Sequence, residues 1–213
     1  MVKWTGKGDM HITFMPRKPT DCGFKIDTMA CADSMIVLQA EVDEGAARMA
    51  DSKYRDQVAP HTAVTMRLVD EYANTDRTVI ADSRFGSCNT AEWLYDVFGF
   101  HSILAVKTAS AGFPKKRLRE QLGERRGSHC CMKVDVKLES GTTTFYASGL
   151  LDKKPMYVVA TCGTTIVTEV AARKSMSTPA GVVEYEVPFP EMHALYRRYF
   201  NAVDLFNRTC FGP

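Results

Sequence analysis

The chain has 213 residues, 45% hydrophobic and 24% charged, enough apolar surface for a globular core of one domain or a domain with an insertion. Its 27 Lys+Arg against 25 Asp+Glu leave a net charge of +2, so global charge does not announce nucleic-acid binding and any such signal must be local. Seven cysteines at irregular spacing, without a signal-peptide pattern, read as reduced thiols of a cytosolic or nuclear protein, and no apolar run approaches the ~20 residues of a membrane span.

In chain order, Met15-Pro16-Arg17-Lys18-Pro19 is stiff and extended, because two prolines flank a basic pair. Residues 23–28 (GFKIDT) and 34–42 (SMIVLQAEV) read as a strand pair joined as a hairpin. Residues 62–73 space Val64, Leu68, Val69 and Tyr72 as a helix. Thr78–Ala81 is a short unbroken apolar strand of the kind buried on both faces of a mixed sheet. An amphipathic helix over 90–97 and a core strand over 102–107 follow. The order strand, strand, helix, strand, helix, strand argues for an α/β sheet. A basic segment, Phe113-Pro114-Lys115-Lys116-Arg117-Leu118-Arg119, comes next. Residues 131–138, 142–148 and 156–161 then read as short antiparallel strands, an insertion rather than a continuation of the wound sheet. The strongest helix is 191–208, where Met192, Leu195, Tyr199, Val203 and Phe206 recur at three- and four-residue steps. The expected division is 1–112 as the N-terminal part of the core, 113–188 as the basic segment and β-rich insertion, and 189–213 as a C-terminal core helix.

Two carboxylates stand where chemistry could be done. Asp82 falls at the carboxyl end of the strand Thr78–Ala81, the end where ligands bind in open α/β sheets; the plainer alternative is a helix-capping Asp. Asp204 shares a polar helix face with Arg197, Asn201 and Arg208, and the plainer alternative there is a solvated face with surface ion pairs. Carboxylates from a strand end and a distant helix could converge on a divalent cation, since hard cations take oxygen ligands and two-metal phosphoryl chemistry needs several carboxylates. Arg17, Lys18, Lys115, Lys116, Arg117, Arg119, Arg125 and Arg126 could contact phosphates, against the alternative of simple solvation, since Glu120 and Glu124 interrupt the patch. His129-Cys130-Cys131 lacks the CxxC pairs of a structural zinc site.

Taken together, four blocks in order resemble the piggyBac transposase family across nearly the whole chain. Met15-Pro16-Arg17-Lys18-Pro19 with Cys22-Gly23-Phe24-Lys25 resembles the family's P-x-K-P-x-x-x-G-x-K block. Residues 79–87 (VIADSRFGS) resemble its D-N-x-F-T-S block, with Ser83 where Asn is usual. Phe113-Pro114-Lys115 resembles its G-x-P region, and Asn201-Ala202-Val203-Asp204 its N-x-x-x-G-V-D-x-x-D block.

The resemblance implies an RNase H-like mixed α/β sheet with helices, interrupted by a small β-rich insertion, that cuts and joins DNA with Mg²⁺ or Mn²⁺ held by acidic residues. By position, Asp82 is its second catalytic Asp and Asp204 its third; Asn207 stands where the family often has a further Asp and offers a carbonyl oxygen without charge. The family's first Asp lies in a D-E-x-M stretch whose Met aligns with Met1. The first Asp and the first strand are therefore expected upstream, and the cysteine-rich zinc tail beyond Pro213. The implied protein is transposase-derived and nuclear, with DNA as partner, a homodimer left open, and no membrane or small-molecule cofactor. Catalysis by this chain alone is not expected. Two other readings remain open: a domesticated DNA- or protein-binding module, and a residual nuclease in which Asp27 or Asp33 substitutes for the first Asp.

Overall fold

The computed structural model describes residues 2–3, 12–16, 22–107, 110–167, 172–187 and 189–211, and the chain divides into two units, residues 1–72 with 201–213 and residues 73–200. Arg17 and Lys18 lie outside the described residues.

In the first unit, β1 (Val2–Lys3) and β2 (Thr13–Phe14) flank β3 (Cys22–Phe24), both antiparallel to it. The expected strand over 23–28 is split at Lys25. Its second half, β4 (Ile26–Ala30), pairs antiparallel with β5 (Val37–Val42) as a separate two-stranded sheet. Lys25 is paired with Asp43 and lies 3.6 Å from buried Asp27, so opposite charges hold the chain where it changes sheets. β5 starts three residues later than expected, because a turn over residues 32–34 and Met35, at a φ of 59°, occupy the approach.

Helix α1 (Pro60–Val69) begins at a proline, whose fixed φ and missing N–H suit a first helical turn. It buries Ala63, Met66 and Val69 and packs against β4 and β5. Arg67 reaches back from it to Glu41 of β5, with Nε donating to Oε2 at 2.9 Å and Nη2 to Oε1 at 2.6 Å. This forked geometry is the strong form of an ion pair. The helix tightens into a 3-10 turn at Asp70–Tyr72, where the Tyr72 hydroxyl donates to the Leu38 carbonyl at 3.0 Å.

The second unit is built on one mixed sheet. In chain order its elements are β6 (Thr78–Ala81), α2 (Cys88–Asp96), β7 (His101–Ala105), α3 (Lys115–Gln121), β8 (His129–Leu138), β9 (Gly141–Leu151) and β10 (Pro155–Ala160). A hairpin of β11 (Ala172–Thr178) and β12 (Gly181–Val187) follows, then α4 (Glu191–Tyr199). The sheet order is β6-β7-β10-β9-β8, with β6 parallel to β7 and every other pair antiparallel. Residues 131–161, read from sequence as an inserted β stretch, hydrogen-bond through β10 onto β7 and so extend the wound sheet. The β11–β12 hairpin is the β-rich segment that forms its own two-stranded sheet.

Burial follows from position in this sheet. β7 and β10 have neighbours on both sides, and Ile103, Leu104, Val158, Val159 and Ala160 are buried. Each fully buried Val, Leu or Ile side chain contributes about 1.5–3 kcal/mol, and alanine less. β6 has one strand partner among the described residues, and Val79, Ile80 and Ala81 are only half-buried while Thr78 is exposed. The expectation of burial on both faces fails because β6 is paired on one side only among the described residues.

The expected helix over 191–208 is two helices. α4 ends at Tyr199, and α5 (Ala202–Phe211) belongs to the first unit, where it packs on β4. The buried face of α4 is Met192, His193 and Tyr196, which shares only Met192 with the apolar stripe the spacing suggests.

Candidate functional site

Asp82 follows directly on β6, whose register with β7 sets Ala81 beside Leu104. The turn after it is short and hydrogen-bonded. The Asp82 carbonyl accepts from the N–H of Phe85 at 3.1 Å and of Gly86 at 2.9 Å, and its carboxylate Oδ1 accepts from the Arg84 N–H at 2.8 Å. Gly86 is required by space: a Cβ there would lie 1.9 Å from the Ala105 carbonyl oxygen. Only glycine lets the turn press against the end of β7 and hold Asp82 in place.

The helix-capping alternative for Asp82 is excluded. Ser87 caps α2, its Oγ accepting from the Thr90 N–H at 3.0 Å, while the Asp82 side chain stays outside the helix and exposed to solvent. An exposed carboxylate at the carboxyl end of a sheet strand is placed to meet a ligand.

Beneath this turn the environment is apolar. Tyr196 of α4 is 7% exposed and clusters with Ile103, Ala105, Val158 and Met192, with Ile80 of β6 packed against them. Burial pushes its phenol up to about 12, and the charge of Asp82 adds to the shift. The phenol therefore stays neutral, a hydrogen-bonding group and not a base. Burial likewise pushes the Cys88 thiol up to about 11, with Glu92 contributing, so Cys88 is no thiolate nucleophile.

Asp204 belongs to the other unit. It lies exposed in the first turn of α5, where a negative charge suits the helix dipole, and Asn207 follows three residues on, also exposed. Arg197, expected on the same polar face as Asp204, sits on α4 and instead donates from Nη1 to Asp152 Oδ2 at 3.1 Å; Arg126 pairs with the other oxygen of Asp152. Asp27 is buried near Lys25, and Asp33 lies exposed in the turn after β4.

A divalent ion suits the Asp82 carboxylate by its chemistry. Among the described residues no group of three or more His, Cys, Asp or Glu side chains gathers to hold a metal ion. A hard cation needs several oxygen ligands, and one exposed carboxylate with half its oxygens already bonded to an N–H is a fragment of such a set.

The basic segment forms the short helix α3. Leu118 is its only buried residue and anchors it over β8 and β9. Lys116, Arg117 and Arg119 are exposed, as is Arg125 beyond the helix. Lys115 is half-buried, with its ammonium 5.5 Å from the Tyr157 ring centre. The structure thus separates the expected phosphate-binding set. Three α3 side chains are presented to solvent, Lys115 is drawn onto an aromatic face, and Arg126 is taken up by Asp152.

Sequence reasoning passed over a buried polar pair. Ser148 of β9 and His193 of α4 are both buried, with Oγ and Nε2 2.9 Å apart. Burial is the main reason that the His193 imidazole is pushed down to about 3, so it is neutral at physiological pH. A helical wheel that accepted polar residues at core positions would have found it, since His193 adjoins Met192 and lies three residues before Tyr196.

The family described as Transposase IS4 matches residues 1–211. A cryo-EM structure of a piggyBac transposase synaptic complex with hairpin DNA superimposes with a TM-score of 0.70 at 16% identity, covering 94% of this chain and 37% of that one. This chain therefore spans little more than a third of that protein. No curated protein matches. Among the described residues no helix is long and apolar enough to cross a membrane.

Proposed function

We infer, for a chain that belongs to the Transposase IS4 family and has the RNase H-like mixed α/β fold of a piggyBac-type transposase domain, that it is the remnant of a DNA strand-transfer domain which binds DNA and does not cut it unaided. One observation carries this reading: Asp82 is presented, exposed to solvent, at the carboxyl end of β6 as a catalytic carboxylate of the family would be. Strand cleavage puts charge on a phosphate that must be stabilised where it develops, so cleavage requires further carboxylates beside Asp82 to hold the ions.

DNA binding is supported separately, by the exposed Lys116, Arg117 and Arg119 on α3 and by the DNA-bound state of the piggyBac neighbour. This keeps a domesticated DNA-binding module as the second reading. The decisive experiment incubates this chain with supercoiled plasmid in Mg²⁺ or Mn²⁺ and follows nicking, alongside duplex binding at two salt concentrations. Binding that weakens steeply with salt and no nicking is the expected result. Nicking lost in Asp82→Ala would instead establish a metal-dependent nuclease. The proposed compartment is the nucleus, checked by imaging a tagged chain.

A further inference from the structure

Strand β8 is an outer strand of the five-stranded sheet, hydrogen-bonded to β9 and to no other strand among the described residues. It joins β9 through Glu139 and Ser140, with Leu138 set against Gly141. A two-residue turn makes that closing pair a hydrogen-bonded one, and such pairs alternate along an antiparallel ladder. Leu138, Val136 and Val134 therefore bond to β9, and the N–H and C=O groups of Lys133, Asp135 and Lys137 point away from the sheet. The turn itself is held in place: the N–H groups of Glu139 and Ser140 donate to the Asp96 carboxylate of α2 at 3.3 and 2.7 Å.

The side chains along this edge alternate too. Lys133, Asp135 and Lys137 are exposed on one face, and the Thr144 hydroxyl of β9 fixes the Asp135 carboxylate by donating to its Oδ1 at 2.6 Å. Val134, Val136 and Leu138 occupy the other face, where Val134 is 57% exposed. Lysines on an edge strand commonly keep other strands away. Here the charges alternate in sign, so their effect depends on register. A second β8 laid antiparallel about a two-fold axis at Val136 sets Asp135 against Lys137 of the other copy, and Lys133 against Glu139. On the opposite face it sets Val136 against Val136 and covers Val134 with Leu138. An axis at Asp135 instead opposes Lys133 to Lys137 and Asp135 to itself, and an axis at Val134 leaves Lys137 opposite Cys131. Opposite charges directly across a strand pair stabilise it and like charges oppose it. Of these three registers, the axis at Val136 alone matches every charge.

We propose that two copies of this chain associate through their β8 edges, antiparallel about Val136, and so join their five-stranded sheets into one continuous sheet. The two-fold uses both β8 edges, so this association stops at two copies and leaves β6 outside it. The contact is small and belongs to the weak, transient class of interfaces, so the dimer forms and dissociates with concentration. The proposal goes beyond the reading of the chain as a transposase remnant and does not need DNA.

Sedimentation equilibrium of the chain alone, over a range of concentrations, reads the association. Asp135→Lys sets lysine against Lys137, and Lys137→Asp sets aspartate against Asp135. Each should weaken the dimer about tenfold, since symmetry doubles every changed pair. The double variant Asp135→Lys, Lys137→Asp restores opposite charges in the same register and should bring the dimer back to within about threefold of the unsubstituted chain. The dimer should also weaken as salt rises. Without any substitution, amide exchange at Asp135 and Lys137 should slow as protein concentration rises, while exchange at Val158 in the centre of the sheet stays the same. A chain that remains monomeric at every concentration would overturn the proposal. So would a dimer that Lys137→Asp leaves intact, or one that the double variant fails to recover. Plasmid nicking and duplex binding bear only on the transposase reading, so the two stand or fall separately.

Discussion

Ser148 Oγ and His193 Nε2 lie 2.9 Å apart in the core of the second unit and join β9 to α4. The other ring nitrogen, Nδ1, is buried without a hydrogen-bond partner among the described residues, where the imidazole depends on Ser148 for its side-chain hydrogen bond. Ser148→Ala would strand the second nitrogen as well and should cost about 1–3 kcal/mol, read from chemical denaturation. The pair also fixes an acid limit. The folded pKa of His193 is about 3, below the ordinary 6.5, so the unfolded state binds the proton more readily. Its contribution is therefore fully present above about pH 6.5 and is lost as pH falls from there toward about 3. Denaturation midpoints should fall across that window. His193→Gln, which can keep a bond to Ser148 without titrating, should flatten the fall.

Gly86 sets the geometry of the Asp82 turn, and substituting it tests whether that turn is rigid. A Cβ at 1.9 Å from the Ala105 carbonyl oxygen meets backbone that cannot rotate away, so either the turn or the end of β7 must move. Overpacking of this kind costs about 1–3 kcal/mol, and more where backbone is the obstacle. Gly86→Ala should lower the thermal midpoint by several degrees. It should also break the hydrogen bond from the Gly86 N–H to Asp82, seen as faster exchange of that amide. An unchanged midpoint would mean that the turn adapts freely.

How far these features were legible in the sequence depends on whether each is set locally. The strand Thr78–Ala81 and Asp82 at its end could be read from a short apolar run followed by small polar residues. Its half-buried state could not, because burial of a strand is decided by its neighbours in the sheet. The segment 82–87 (DSRFGS) offers three residues of capping type, Asp82, Ser83 and Ser87, and only the hydrogen bond from Thr90 assigns the cap to Ser87. The break between α4 and α5 carries no Gly or Pro at residues 200–202, so an unbroken apolar spacing concealed it. His193 was hidden for the opposite reason: a polar residue in a core position drops out of any apolar count. The basic run read only as a charged segment because it contains a single buried side chain, Leu118, to mark it as a helix packed on the sheet.

The α3 side chains give the most direct check on DNA binding. Lys116, Arg117 and Arg119 are exposed, and replacing them should change stability by no more than about 0.5 kcal/mol. If they meet phosphates, each replacement by Ala should weaken binding alike across sequences and reduce the slope of log K against log salt by about 1. Lys115→Ala should behave differently. Its ammonium lies 5.5 Å from the Tyr157 ring centre, so loss of that contact adds a stability effect of about 0.5–1 kcal/mol. Electrophoretic mobility shifts at graded salt, with thermal unfolding alongside, separate the two behaviours.

The edge position of β6 has a consequence for solution behaviour. β7 and β10 have strand neighbours on both sides, whereas β6 is paired with β7 alone among the described residues. Amides of β6 should therefore exchange faster than those of Leu104 and Val159, which sit in the centre of the sheet. A half-buried apolar edge also offers a template for another strand, and natural edges are commonly blunted by lysine. Thr78 is exposed at the start of β6, so Thr78→Lys adds a charge to the edge without entering the core. The substitution should lower light scattering in concentrated solution and leave the thermal midpoint nearly unchanged. Equal scattering from both proteins would show that association, if it occurs, uses another surface, with the exposed Val182 and Val183 of the β12 hairpin strand next in line for the same substitution.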